Sequence, residues 1–133
     1  MTVSENKAVV IRFNKEFLEQ GNVAVLKELV ADDFINHTAA ANAPNNAEGM
    51  VQLVAMLHKA FSNFSIVINE QVGEGDTVAT RKTIHATHTG EIMGRPATGK
   101  AVTFNIMDFV HLRDGKYVEH WGRNDFMQVI QQL

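Results

Sequence analysis

The apolar residues of this chain change their spacing once, and that single change limits what it can fold into. Up to about residue 61 they recur at helical intervals, and from residue 64 onward they alternate. Val9, Val10, Phe13, Phe17 and Leu18 form one wide stripe, opened by Ser4 as N-cap and ended at Gly21. Such width suits a helix laid on a sheet. Asn22 can cap a second, short helix carrying Val25, Leu26 and Leu29. Asp32 to His37 reads as a turn leading into a short extended piece, and 38–46 has loop composition. A third helix is expected over 47–61, with Met50, Leu53, Val54 and Leu57 on one face.

Alternation then predicts strands at 64–73, 76–89, 101–113 and 116–124, followed by a terminal tail or short helix at 126–133. Residues 90–100 hold three of the nine glycines and one of the two prolines, which marks a long turn. Asp114-Gly115 is a strong two-residue hairpin signal. Helices first and antiparallel strands afterwards give an α+β fold with the helices on one sheet face. A sheet of about four long strands curls as it twists. Helices closing one end of that curl would leave a concave, mostly apolar cavity, a normal ligand site. The expectation is one domain over 1–133: a cone of N-terminal helices on a strongly curved antiparallel sheet enclosing a pocket.

Composition narrows the function. The net charge is -3, with no stretch that concentrates Lys and Arg, which argues against an electrostatic nucleic-acid face. No apolar run is long enough to span a bilayer, so no membrane partner is expected. The N-terminus lacks a basic segment followed by an apolar one, so no secretory signal is read there and the cytoplasm is the expected location. There is no cysteine, hence no disulfide, thiolate nucleophile or thiolate metal ligand. Phosphate-binding and dinucleotide-binding glycine motifs and the nucleophile elbow are all missing. His85 and His88 would point to opposite faces of one strand, so they do not form a chelating pair, and no cofactor is expected.

The last strand carries the most chemistry. Without a bulge, Glu119, Trp121, Arg123 and Asp125 share one face. A carboxylate beside a large aromatic at an apolar mouth is a recipe for acid/base work. Equally, Trp121 can be core, Glu119 and Arg123 a surface pair, and Asp125 the cap of a helix at Phe126; on spacing alone this structural reading stands first.

The order Gly115-Lys116, Glu119-His120-Trp121, Asp125 and Gln132-Leu133 resembles the end of the SnoaL-like polyketide cyclase (ester cyclase) family, of the NTF2-like superfamily. Thr87-His88-Thr89-Gly90-Glu91, Gly94, Pro96 and Thr98-Gly99-Lys100 form a second similar block. Gly21-Asn22, Leu26, Leu29, Phe34, His37 and Gly49 match more loosely. Arg95, Ala97 and Asn124 depart from the pattern. The resemblance implies an NTF2-like cone and an intramolecular aldol condensation of a polyketide ester without a metal. By motif order it places the general acid/base on Asp125. A non-catalytic binder of small hydrophobic ligands, or an isomerase or dehydratase, are the other functions this scaffold would host.

A histidine on the neighbouring strand is the expected partner, and His111 is the candidate. In a regular hairpin His111 pairs with Val118 and lies on the opposite face, so it needs a β-bulge to join Asp125. Without a bulge Asp108 faces Trp121 and is the polar residue on that side; both readings stay open. Phe13, Phe17, Leu53, Leu57, Met107 and Trp121 are the expected lining for a small aromatic, polyketide-like molecule. Glu119, His37 and His88 could also meet ligand; for His37 a structural role is equally open, and for His88 ordering the turn after its strand stands ahead of chemistry. His58 is expected to be solvent-facing or locally satisfied, and His120 exposed. Apolar residues of both parities on 101–113 predict a homodimer through the open sheet face.

Overall fold

A computed structural model describes all 133 residues. The first helix, α1 (Val3–Arg12), starts two residues earlier than Ser4 suggests. Thr2 is its cap, because Glu5 stands three residues on and the two form a reciprocal capping box. The helix then widens into a π-helical segment (Phe13–Glu19), an uncommon geometry that recurs at functional sites. Glu19 accepts from the backbone N–H of Ile66 at 2.7 Å, and Lys15 donates to the Ile66 carbonyl, which ties this segment to the sheet. Helix α2 (Val23–Leu29) is capped by Asn22. Strand β1 (Val30–Asn36) follows without a break and absorbs the acidic pair expected in a turn. Helix α3 (Ala47–Ala60) is capped by Asn46.

Four long strands complete the sheet: β2 (Phe61–Glu74), β3 (Thr77–His88), β4 (Ala101–Arg113) and β5 (Lys116–Asn124), before a short α4 (Phe126–Gln131). Their order is β1-β5-β4-β3-β2. Three pairings are antiparallel, but β1 runs parallel to β5, so the five-stranded sheet is mixed rather than antiparallel. The reason is that 30–36 forms a full strand and reaches the free edge of β5 after the helical excursion. The sheet is curled, not closed.

Alternation sorts the side chains. Val78, Ile84, Phe104 and Val110 face the helices and are buried, whereas Met107 and Phe109 stand on the open face, 61% and 55% exposed. One apolar cluster joins α1, the π-helical segment, α2 and Tyr117; another joins Leu57, Phe61, Ile84, Phe104 and Ile130. Phe13 stacks on Tyr117 at 4.4 Å, and Phe104 meets Phe61 edge-on at 5.3 Å. Each such side chain, fully buried, contributes about 1.5–3 kcal/mol.

The β4–β5 hairpin turns at Asp114-Gly115, both at positive φ (53° and 75°), as a two-residue turn with right-handed strand twist requires. Arg113 pairs with Lys116 and Leu112 with Tyr117, but His111 pairs with Glu119. Val118 is the extra residue of a bulge. From there on Glu119, Trp121 and Arg123 lie on the open face with His111, while His120 and Gly122 turn toward the helices with Asp108.

Candidate active site

The bulge sends the expected site residues to different places. Asp108 stands opposite Gly122, not Trp121, on the helix-covered face. It is 6% exposed, and Lys82, on the adjacent strand, is 4% exposed. Lys82 Nζ lies 3.2 Å from Asp108 Oδ2 and 2.5 Å from Asn14 Oδ1. Asn14 comes from the π-helical segment and donates its own amide to the Val10 carbonyl at 2.9 Å. His120 Nε2 lies 3.3 Å from the same Asp108 oxygen, and its Nδ1 lies 2.9 Å from Asn36 Oδ1. Contrary to expectation, His120 is therefore half-buried and engaged on both nitrogens.

Gly122 explains how His120 gets there. The histidine pairs with Val110, two residues from Asp108 along the strand, so its ring must lean over position 122. A Cβ at 122 would sit 3.0 Å from His120 Cε1. A side chain there would crowd the ring away from the carboxylate.

Opposing effects meet at Asp108. Burial pushes its carboxyl upward, but the Lys82 charge, the His120 hydrogen bond and charge, and the Lys82 hydrogen bond outweigh burial and hold it below the usual carboxylate range. Burial, then the Asp108 charge, push the Tyr117 phenol well above its usual value. Asp108 Oδ1 has no hydrogen-bond partner, nor does Thr80 Oγ1, its neighbour in register on β3. A buried charge pair beside two unpartnered oxygens is costly for folding alone and marks a place for chemistry.

On the open face the bulge assembles a second group. Glu119 accepts from His37 Nε2 at 2.8 Å and from His111 Nδ1 at 3.2 Å. His37 stacks on Trp121 at 4.6 Å and 9°, and His111 meets it edge-on at 4.8 Å. The bonds from His37 and then His111 hold the Glu119 carboxyl below its usual range. Glu119 thus does not pair with Arg123, whose guanidinium donates to the Gly122 carbonyl.

Asp125 joins neither group. Its two oxygens accept from Asn105 N at 2.8 Å and Asn105 Nδ2 at 3.1 Å. It occupies the cap position of α4 without a side-chain capping bond; Asn124 Oδ1 takes the Phe126 N–H instead, at 3.0 Å. A hollow of about 340 Å³ lies beside it, lined mainly from the open face by Asn69, Arg81, Asn105, Met107, Arg123 and Asp125, with Lys82, Ile106 and Asn124 completing its wall.

Of the remaining expected residues, Phe13, Phe17 and Leu57 are buried packing. Leu53 is 46% exposed, on the solvent side of α3, and Met107 is on the open face, so neither lines the interior. His88 is buried and bonds Thr98 through Nδ1, anchoring the 89–100 turn. His58 is locally satisfied by the Leu18 carbonyl at 2.8 Å. Lys82, Asn14, Asn36 and Gly122 were not singled out by sequence. Only Lys82 left a clear signal: a lysine in the apolar phase of an alternating strand, between Thr80 and Ile84. No three His, Asp or Glu side chains converge as a metal-ligand set.

A family model described as SnoaL-like polyketide cyclase matches residues 8–133. The chain belongs to this family. Among curated relatives, aklanonic acid methyl ester cyclase DauD of Streptomyces sp. (strain C5) is 24% identical over 93% of this chain and 79% of its own. Among solved structures, TsrD from Streptomyces laurentii superposes with a TM-score of 0.86 at 20% identity, over 99% of this chain and 96% of its own. IdmH from Streptomyces antibioticus gives 0.83 at 29%, over 96% of each chain. Family and fold thus agree with the reading of the motifs. No helix is long and apolar enough to cross a membrane.

Proposed function

We propose that this SnoaL-like polyketide cyclase closes a ring in a polyketide ester by intramolecular aldol condensation, with Asp108 as the general acid/base. The observation that carries this is the unpartnered Oδ1 of a buried carboxylate whose other oxygen is held by Lys82 and His120. A C–H between two carbonyls gives its proton to Asp108 Oδ1. The enolate carbon attacks a ketone of the same molecule, forming the C–C bond, and the alkoxide recovers a proton from Asp108. The carboxylate is a weak base, but such a C–H is acidic enough for one. Lys82 has three N–H bonds and two partners, so its third can stabilise the developing oxyanion. Asp108 lies within the packed face, so substrate must part that face to reach it. The connection 37–46 borders it, tied to β5 by Thr38 Oγ1 accepting from Gly122 N at 3.0 Å.

A second reading keeps Asp125 as the acid/base, assisted from the open face. It is favoured by the hollow whose wall Asp125 forms. Aklanonic acid methyl ester, named for the DauD relative, is the first substrate to try, with the cyclised isomer of unchanged mass followed by chromatography and mass spectrometry. Asp108→Asn should lower turnover by about 10²–10⁴-fold while Asp125→Asn stays near wild type. The reverse ranking would move the chemistry to the open face.

The open face also supports a homodimer. Val72, Ala79, Phe109 and Trp121 stand in register across four strands as one apolar row. Arg81 and Arg123 flank it on one side, and His111 with Glu119 on the other. A two-fold axis along the row would lay Arg123 over the partner's Glu119, while Arg81 stays paired with Glu70 in its own row.

A further inference from the structure

We propose that Asn36 is a positioning residue that fixes which nitrogen of His120 carries the ring proton, so that the Asp108–His120 contact exists only while one extra proton is held in it. Asn36 ends β1, and its Oδ1 accepts from Thr38 N at 3.2 Å and from Thr38 Oγ1 at 3.2 Å. A backbone N–H can only donate, so the atom facing it is the amide oxygen and not the nitrogen. The same oxygen lies 2.9 Å from His120 Nδ1, which must therefore donate. A neutral imidazole has one N–H, and Asn36 takes it.

The other nitrogen then faces an acceptor. His120 Nε2 is 3.3 Å from Asp108 Oδ2, which already accepts from Lys82. With neutral histidine and ionised Asp108, two lone pairs would oppose each other. One added proton, on Nε2 or on the carboxyl, turns the contact into a hydrogen bond. The groups around the ring divide on this proton: Asp108 favours it and the Lys82 ammonium opposes it, while Asn14, Asn36 and Thr38 are uncharged. His37 and Glu119 lie on the other sheet face.

This deepens the Asp108 reading and rests on it for its meaning in turnover. The contact stores the proton beside the oxygen that meets substrate. Without Asn36, neutral His120 could place its single proton on Nε2 and keep donating to Asp108, and nothing would be stored. The chain thus uses the end of β1, outside the hairpin that holds both partners, to set their protonation.

The test is long-range proton–nitrogen NMR on protein labelled with ¹⁵N-histidine, titrated from about pH 5 to about pH 9 across the imidazole range. Loss of a signal in His120→Gln assigns the ring. At the alkaline end wild-type His120 should carry its proton on Nδ1. Asn36→Ala should move it to Nε2, and Asn36→Asp should keep it on Nδ1 and retain the second proton to higher pH. A neutral wild-type ring protonated on Nε2 overturns the proposal without any variant, as does an Asn36→Ala ring unchanged from wild type. The pH profile of turnover then tests the reaction separately. An Nδ1-protonated ring together with a wild-type profile that has no limb from His120 would leave the positioning role standing and sink Asp108 catalysis.

Discussion

Breaking the Lys82–Asp108 pair should cost more than any surface ion pair of this chain, and removing both partners should restore most of the loss. Their side chains are 5% and 6% exposed and 3.2 Å apart. Removing one charge strands the other in the packed interior, which costs about 3–5 kcal/mol. For 133 residues the unfolding entropy near the midpoint is about 0.28 kcal/mol/K, so either Lys82→Met or Asp108→Leu should lower Tm by roughly 11–18 °C. The double variant replaces the pair by apolar groups of similar size. That exchange is neutral or favourable by about 1–4 kcal/mol elsewhere. Here Asn14 and His120 each lose a partner, at about 1–3 kcal/mol apiece. The double should therefore lie between about 2 kcal/mol more stable and about 6 kcal/mol less stable than wild type, centred near a loss of about 2, against about 6–10 for the summed singles. Urea unfolding of the four proteins measures this directly. Additivity within about 0.5 kcal/mol would refute a coupled buried pair, and with it the electrostatic account of Asp108.

The depressed carboxyls set an acid limb. Asp108 and Glu119 lie below their unfolded values, so their stabilisation is complete above the unfolded carboxylate range and is lost as pH falls through the folded values. Urea midpoints should fall on acidification, more shallowly in Glu119→Gln; midpoints that do not change with pH would contradict this. Asp125→Ala should lose about 0.5–1.5 kcal/mol and Asp125→Asn less, because Asn105 N keeps an acceptor; equal melts for all three would show the Asn105 bonds to be idle. Phe109→Glu should give monomers by light scattering at a concentration where wild type is dimeric, and a wild-type monomer would remove the two-fold row altogether.

Much of the architecture was legible because it rests on period and turn chemistry. The three N-terminal helices, the four long strands and the Asp114-Gly115 hairpin follow from spacing and from residues that tolerate positive φ. The parallel edge strand was not, since Val30 to Asn36 is a strand only because β5 offers it an edge. The site was legible in its residue types more than its membership. His37, His111, Glu119 and Trp121 were all singled out, yet their meeting depends on Val118. The partners of Asp108 are Lys82 and His120, held in turn by Asn14 and Asn36, and pairing arithmetic along one hairpin cannot reveal a lysine on the neighbouring strand or an asparagine on a widened helix turn.

Why the hairpin carries a bulge can be argued from cost. In a regular register Glu119 would pair with Val110 and Trp121 with Asp108, turning both toward the helices. Glu119 would then lose His37 and His111 and enter a face occupied by Val78, Val110 and Tyr117. An unpaired carboxylate there costs several kcal/mol, against about 1 kcal/mol for a ladder hydrogen bond lost at a bulge. The extra residue keeps Tyr117 inward and Glu119 outward at once. Deleting Val118 would make Glu119 follow Tyr117 directly, and simple alternation would then give the same two orientations. The deletion should therefore fold, retain the Glu119–His111 contact and keep His120 on Asp108, with stability within about 1 kcal/mol of wild type, because the regular ladder regains the hydrogen bond lost at the bulge. The imidazole signals of His111 and His120, compared with wild type, report both faces of the strand together. A folded deletion variant in which these signals exchange environments would mean that side-chain burial does not set the register, and the bulge would need another cause.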